Sequence, residues 1–406
     1  MTHYFFIAAT MYLGWVLSPE ALVLASNHAG SGAHFATLAL IAACALSFWG
    51  AILTNAHPAA AQSKAGVRLL GTSADLAASI ALVILMSTGM LVTAGFTFNE
   101  TFVYWFPNFG FSATLLTVIV AIHMLGDTAV KRAQHIFSFF AVLSLCTIIV
   151  AGLLLQSDLS ETSRQLITPA QTVNISLFCG SLFFFLGAYQ RQEKQPNSRQ
   201  LLYLLSGGAA VLILWQIVAI KHVPQEKLAE STIPYIFVAR EVLGQTGRLL
   251  IGLTIISGTC GAVNYFMSMA ANIGSTTILS LSGVDSTKSP GIKRLLSLIF
   301  AVIIALCMGS GLAGEPHLEL YIYGALLLWL LSCGIQILAS VLQLSKTSLL
   351  KTTLNYAVPG LFFFAFFYLI MTHEEPLPLV IFLVLALCLS SIITTALFFM
   401  GKKYHP

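Results

Sequence analysis

Charge is what this chain most lacks. Of its 406 residues only 8% are Asp, Glu, Lys or Arg, against about 25% in an ordinary soluble protein. A soluble chain of this length would form two or three domains, each needing a charged exterior, and these residues cannot supply one. Basic clusters are missing as well, since none exceeds three residues, and nucleic acid is excluded as a partner. The seven cysteines all lie inside apolar runs, without a CxxC pair or a spacing suited to a metal. They read as small core residues, and no metal or other cofactor is expected.

Catalytic groups are scarce too. A membrane cytochrome b needs paired intramembrane histidines, and of ten histidines only His123 falls clearly within an apolar run. A respiratory ion pump would carry central lysines, and none is found. No HExxH, nucleophile-plus-His or paired-Asp motif appears, so the chain is not expected to be an enzyme. Met1-Thr2-His3 lacks the basic start of a cleavable signal.

Hydrophobic residues make up 57% of the chain, in runs of about twenty that fit the thickness of a bilayer. Twelve spans are predicted, at 4–27, 33–54, 74–97, 111–127, 134–155, 171–190, 200–220, 245–271, 294–313, 317–343, 352–372 and 377–400. They must be helices, because a helix satisfies its own backbone in lipid and the period-two pattern of a barrel is absent. Fourteen of the 19 basic residues fall in loops after even-numbered spans or at the C-terminus, and five on the other face. The positive-inside rule then places both termini in the cytoplasm, with the chain a multi-pass protein of the cytoplasmic membrane. No loop is long enough to be a separate domain, although 55–73 and 221–244 have room for short interfacial helices.

Intramembrane charges are costly and mark function by default. Glu20, in Ser18-Pro19-Glu20 of the first span, is the one acid that shifting the span ends does not move into a loop. It is either a proton-coupling carboxylate or the cap of a helix that restarts after Pro19. His123 and Asp127 share a face at i, i+4 and read as a relay pair or as helix-end charges at the cytoplasmic surface. Arg240, Glu241 and Arg248 gather at the outer entrance to the eighth span, as a gate or a solvated cluster.

Glycine and proline interrupt two spans. Gly14 and Pro19 lie near the middle of the first, and Gly180 and Gly187 flank Ser181–Leu186 in the sixth. These spans correspond if spans 1–5 and 6–10 are two five-helix halves of opposite orientation. That is the layout of transporters whose broken helices expose backbone groups to a substrate at mid-membrane.

Gly14-Trp15-Val16-Leu17-Ser18-Pro19 with Ala29-Gly30, the loop Glu193-Lys194-Gln195-Pro196-Asn197-Ser198-Arg199, and Ser257-Gly258-Thr259-Cys260-Gly261-Ala262-Val263-Asn264 together resemble the amino acid–polyamine–organocation (APC) superfamily of permeases. The resemblance implies an all-α membrane fold with a 5+5 inverted repeat. Residues 1–155 would form the first repeat, 171–343 the second, and 352–406 two extra C-terminal helices. It also implies a secondary transporter of an amino acid or related small amphiphilic solute, working by uptake, export or exchange. Leu13, Gly14, Trp15 and Ser18 would serve the substrate's polar end, Phe184, Phe185 and Gly187 its side chain, and Glu20 proton coupling. Tyr12 and Leu13 stand where the family has Gly and Ser, Asn272 where many members have Arg, and Ala141 near where some carry a coupling Lys. A membrane scaffold that has lost transport would share these departures, and a lipid-acting enzyme lacks its catalytic groups.

Overall fold

The structure, a computed structural model, describes residues 2–56, 65–156, 174–189, 197–282, 289–312, 315–343 and 349–404. Among them the spanning elements are all helices and there is no strand, as the demand for internal backbone satisfaction in lipid requires. The helices are α1 (Thr2–Val16), α2 (Pro19–Ala56), α3 (Ala65–Ala81), α4 (Ser87–Thr101), α5 (Asn108–Leu125), α6 (Asp127–Leu154), α7 (Ile175–Ser181), α8 (Ser198–His222), α9 (Gln225–Glu230), α10 (Pro234–Ser282), α11 (Ser289–Gly309), α12 (Pro316–Val341), α13 (Leu349–Met371) and α14 (Pro376–Tyr404). A π-helical turn, Leu82–Met86, joins α3 to α4, and a 3-10 segment, Leu182–Tyr189, continues α7.

Ten of these helices are long and apolar enough to cross a membrane, and a bent pair, Phe6–Val16 with Pro19–Gly32, makes an eleventh. The sixth expected span is occupied by Ile175–Tyr189, an apolar helix too short to count by the same measure. Most expected spans match one helix, but three boundaries move. The first and second spans run together in α2, and the third extends back to Leu69. The eighth begins at Pro234, with a kink at Gly244 (φ 57°). The 221–244 loop does hold a short helix, α9, and part of the 55–73 loop, 57–64, lies outside the described residues. So do 157–173, which include Arg164, and 190–196, which hold most of the Glu193–Arg199 motif.

The core lies where α10 packs along α6 and against α1. The turn between α5 and α6 is one residue, Gly126, at φ 101°. A side chain there would be strained in that left-handed conformation.

Candidate functional site

The first broken span is written in three residues. Pro19 has no N–H for the carbonyl of Trp15, so that carbonyl accepts from Ser18 N at 3.0 Å. Ser18 then caps the restarted helix: its Oγ accepts from Ala21 N at 3.2 Å, with Pro19 in the first helical position. Glu20 sits in the first turn of α2, where a negative charge suits the helix dipole. The two halves meet at 60°. The interruption is thus at Leu17–Ser18, with Gly14 one turn before it.

Gly14 is a packing residue in this arrangement. A Cβ there would come 2.5 Å from the Gln134 amide nitrogen and 3.0 Å from the Gly261 carbonyl oxygen. Leu17 O is equally crowded, since a Cβ on Gly258 would lie 2.2 Å from it. Leu13 is half-buried, and its carbonyl accepts from Leu17 N at 2.9 Å.

The second interruption follows Gly180. α7 ends at Ser181, and the chain tightens into the 3-10 segment that includes Phe184, Phe185 and Gly187, all buried. The two interruptions are tied directly, as the Trp15 indole Nε1–H donates to the Phe183 carbonyl at 2.9 Å. Trp15 also packs on Phe266 and Trp329, with ring centroids 5.9 and 5.8 Å away, and Tyr265 lies 5.2 Å from Phe266. Gly187 faces two phenols: its Cβ would lie 3.2 Å from the Tyr12 ring and 3.4 Å from the Tyr265 hydroxyl. Phe184 points elsewhere, edge-on to His28 of α2 at 6.0 Å.

The structure therefore brings Trp15, the Phe183 carbonyl and Gly187 together and adds Tyr12, Tyr265, Phe266 and Trp329. Buried polar atoms normally have partners, yet the Tyr12 and Tyr265 hydroxyls and Glu20 Oε2 have none among the described residues. Tyr12 was visible only as a bulky departure from a family pattern. Tyr265 follows Asn264 in a helix with no polar face to single it out. No group of three or more His, Cys, Asp or Glu suited to a metal occurs among the described residues.

Other expected groups fall away from this place. Asp127 pairs with Lys293 at 3.5 Å, while His123 bonds Asn264 rather than Asp127. Arg248 donates to the Glu100 carbonyl instead of closing a cluster with Arg240 and Glu241. Ala141 is buried, and the α6 side chains that reach α1 are Gln134 and Ser138, whose Nε2 and Oγ each donate to Thr10 O at 3.0 Å.

Two readings of the sequence need correction. Glu20 is not the only acid held inside a helix away from the loops, because Asp75 of α3 is buried and accepts from Ser332 and, at 2.8 Å, from Gln336 of α12. It lies one residue inside the predicted third span, where an end charge and a core charge look alike. His123 is likewise not the only embedded histidine, since His28 is buried against Gly180. Asp75→Ala is expected to lower stability by about 1–3 kcal/mol, because it removes the acceptor of two donors, of which Ser332 is buried and Gln336 half-buried. Thermal unfolding of the purified protein checks this, and an unchanged midpoint would show that the contacts carry no net stability.

Solved structures share the whole architecture. A variant of the manganese transporter of Eremococcus coleocola superposes with a TM-score of 0.59 at 10% identity, over 98% of this chain and 94% of that one. The fold is that of a membrane transporter. A second variant of the same transporter gives the same values, and its complex with an aromatic bis-isothiourea substituted compound gives a TM-score of 0.55 over the same shares. No family profile and no curated protein matches the sequence. At this identity the likeness concerns the path of the backbone and says nothing of the side chains at the interruptions.

Proposed function

We propose that the protein is a secondary transporter that moves an amino acid or related small amphiphilic solute across the cytoplasmic membrane by alternating access. Both termini lie in the cytoplasm in this reading. The observation that carries it is the meeting of two interrupted apolar segments at the Trp15–Phe183 hydrogen bond, inside an aromatic wall with two unpartnered hydroxyls. The two segments open the halves 1–155 and 171–343 of an inverted repeat, followed by two further helices in 352–406. Leu13, Gly14, Trp15 and Ser18 supply backbone and capping groups around the solute's charged end. Phe185 and Gly187, with Tyr12 and Tyr265, enclose its apolar part, while Phe184 packs behind them on His28.

A divalent cation is the second reading, favoured by the likeness to a manganese transporter. Hard cations need several oxygen ligands in a defined shell. Around Leu17–Ser18 the described side chains offer one carboxylate, Glu20, amid aromatic rings. The organic solute fits this chemistry better.

The test is thermal stabilisation of the purified protein by a panel of amino acids, with Mn2+ as a separate arm. A ligand at a hundredfold its dissociation constant adds about 2.7 kcal/mol to the native state. Stabilisation by apolar or aromatic amino acids is expected, weakened about tenfold in apparent affinity by Tyr265→Phe, as for one lost hydrogen bond. Response to Mn2+ alone would replace the amino acid reading with the cation one, and no response to any compound would favour a scaffold. Glu20→Gln is expected to flatten the pH dependence of transport in proteoliposomes. An unaltered profile would leave Glu20 only as a first-turn charge on the dipole of α2.

A further inference from the structure

A second polar constellation lies away from the interruptions, on the face where α1 begins. It surrounds a cavity of about 250 Å³ between the α5–α6 turn, the Ser268–Asn272 stretch of α10 and the start of α11, several times the ~30 Å³ that a water occupies in the liquid. None of its lining residues belongs to α1, α2 or the 3-10 segment, so it is separate from the proposed transport site.

Its chemistry favours an anion. Lys293 and Arg294 enter it from the first turns of α11, a 21-residue helix whose positive dipole end faces the same space. The Lys293 ammonium is 3.5 Å from Asp127, beyond the 2.7–2.9 Å usual for a charge-assisted hydrogen bond. Lys293 is only 21% exposed and Asp127 66%. Asp127 lines the rim of the same cavity, but its side chain is mostly in solvent while Lys293 is largely covered, which leaves the ammonium's donors available. Asn272 and Ser268 add neutral polar groups.

The back wall of the cavity is the start of a buried chain of donors. Asn264 Nδ2 donates to Gln134 Oε1 at 2.7 Å and to Val130 O, so its Oδ1 must accept, and the His123 Nε2 3.1 Å away carries the hydrogen. In a neutral ring the opposite nitrogen, Nδ1, accepts from Ser297 Oγ at 3.3 Å. Gln134 Nε2 passes the chain on to Thr10 O in α1, which also accepts from Ser138 Oγ at 3.0 Å. Ser297 and His123 line the cavity, and Thr10 lies one turn before Gly14. Amide side chains have fixed donor and acceptor ends, so the chain transmits orientation and not protons.

We infer that this cavity is a regulatory site for a phosphate-bearing anion, whose occupancy is communicated to the inner half of the broken span through Ser297, His123, Asn264 and Gln134. An anion drawn to Lys293 and Arg294 shifts α11 and Ser297 with it, and the donor chain carries that shift to the α1 carbonyl at Thr10. The inner half-helix is held in place when the site is filled. A soluble phosphate and an anionic lipid headgroup offer the same chemistry at this depth.

Hydrogen–deuterium exchange on the purified full chain tests this without any transport assay, so its failure is distinct from failure of the proposed function. Inorganic pyrophosphate is added in neutral phosphatidylcholine nanodiscs, and in a second arm phosphatidic acid is built into the discs. Exchange in residues 2–16 and 289–297 is expected to slow at least threefold in one arm: the first identifies a free phosphate, the second a headgroup. The double variant Lys293→Gln/Arg294→Gln should lose both protections. Gln134→Met should keep protection at 289–297 and lose it at 2–16; if it fails to fold, Ser297→Ala should show the same split. No protection in either arm, protection that survives the double variant, or protection at 289–297 that never reaches α1 in the wild type would each overturn the inference.

Discussion

Gly258→Val is expected to abolish transport in proteoliposomes while leaving a folded protein. A Cβ at Gly258 would lie 2.2 Å from the Leu17 carbonyl oxygen, a contact that cannot exist, and the atom it meets is backbone at the interruption itself. Either α1 or α10 must move by more than an ångström at the place where the two halves of the first span join. Misplacement on that scale costs about 10²-fold in rate where geometry governs the step. The matched control is Gly360→Ala, whose Cβ would meet nothing within 4 Å and which should transport at the wild-type rate. Equal activity of the Gly258 variant would show that Leu17–Ser18 does not shape the transport site.

Substitution of Trp15 separates packing from the direct link between the two interruptions. Trp15→Ala empties a fully buried site against Phe266 and Trp329 and should cost about 3–5 kcal/mol of stability. Trp15→Phe keeps most of the ring contacts and drops only the hydrogen bond to the Phe183 carbonyl, a loss of about 1 kcal/mol. The expected outcome is a large fall in the unfolding midpoint for alanine and a small one for phenylalanine. Both variants should lose transport by similar factors, because both uncouple α1 from the 3-10 segment. If Trp15→Phe transports normally, the indole is a core residue and the link is not part of the cycle.

Much of this architecture was legible in the sequence, and particular residues show why. Span length is set by the bilayer, so α5 and α13 fall within a few residues of their predicted ends. Pro19 announced a break, because a missing N–H has the same consequence in any helix. The cap of that restart, read in the sequence as Glu20, is instead Ser18, whose Oγ accepts from Ala21 N. For the sixth span the sequence offered Gly180 and Gly187 without choosing. The structure places the change of winding just after Gly180 and uses Gly187 as the gap that admits the Tyr12 and Tyr265 rings.

What could not be read came from pairs far apart in the chain. Asn264 was noticed as the end of a small-residue run, but its partners His123 and Gln134 lie more than a hundred residues away. Asp75 stood at a span boundary, and only Ser332 and Gln336 of α12 make it a core group. Tyr265 and Phe266 sit in a helix whose apolar stretch is 78% buried. Buried on nearly every side, it has no periodicity to separate a pocket face from a packing face.

Counterflow decides whether the joined interruptions form a transport site for an organic solute. Proteoliposomes are loaded with an unlabelled apolar or aromatic amino acid, and entry of the same labelled compound is followed for wild type and Gly258→Val. Transient accumulation above empty vesicles is expected for the wild type and none for the variant. Entry no faster than in empty vesicles for every amino acid tried, with Mn2+ crossing instead, would contradict it.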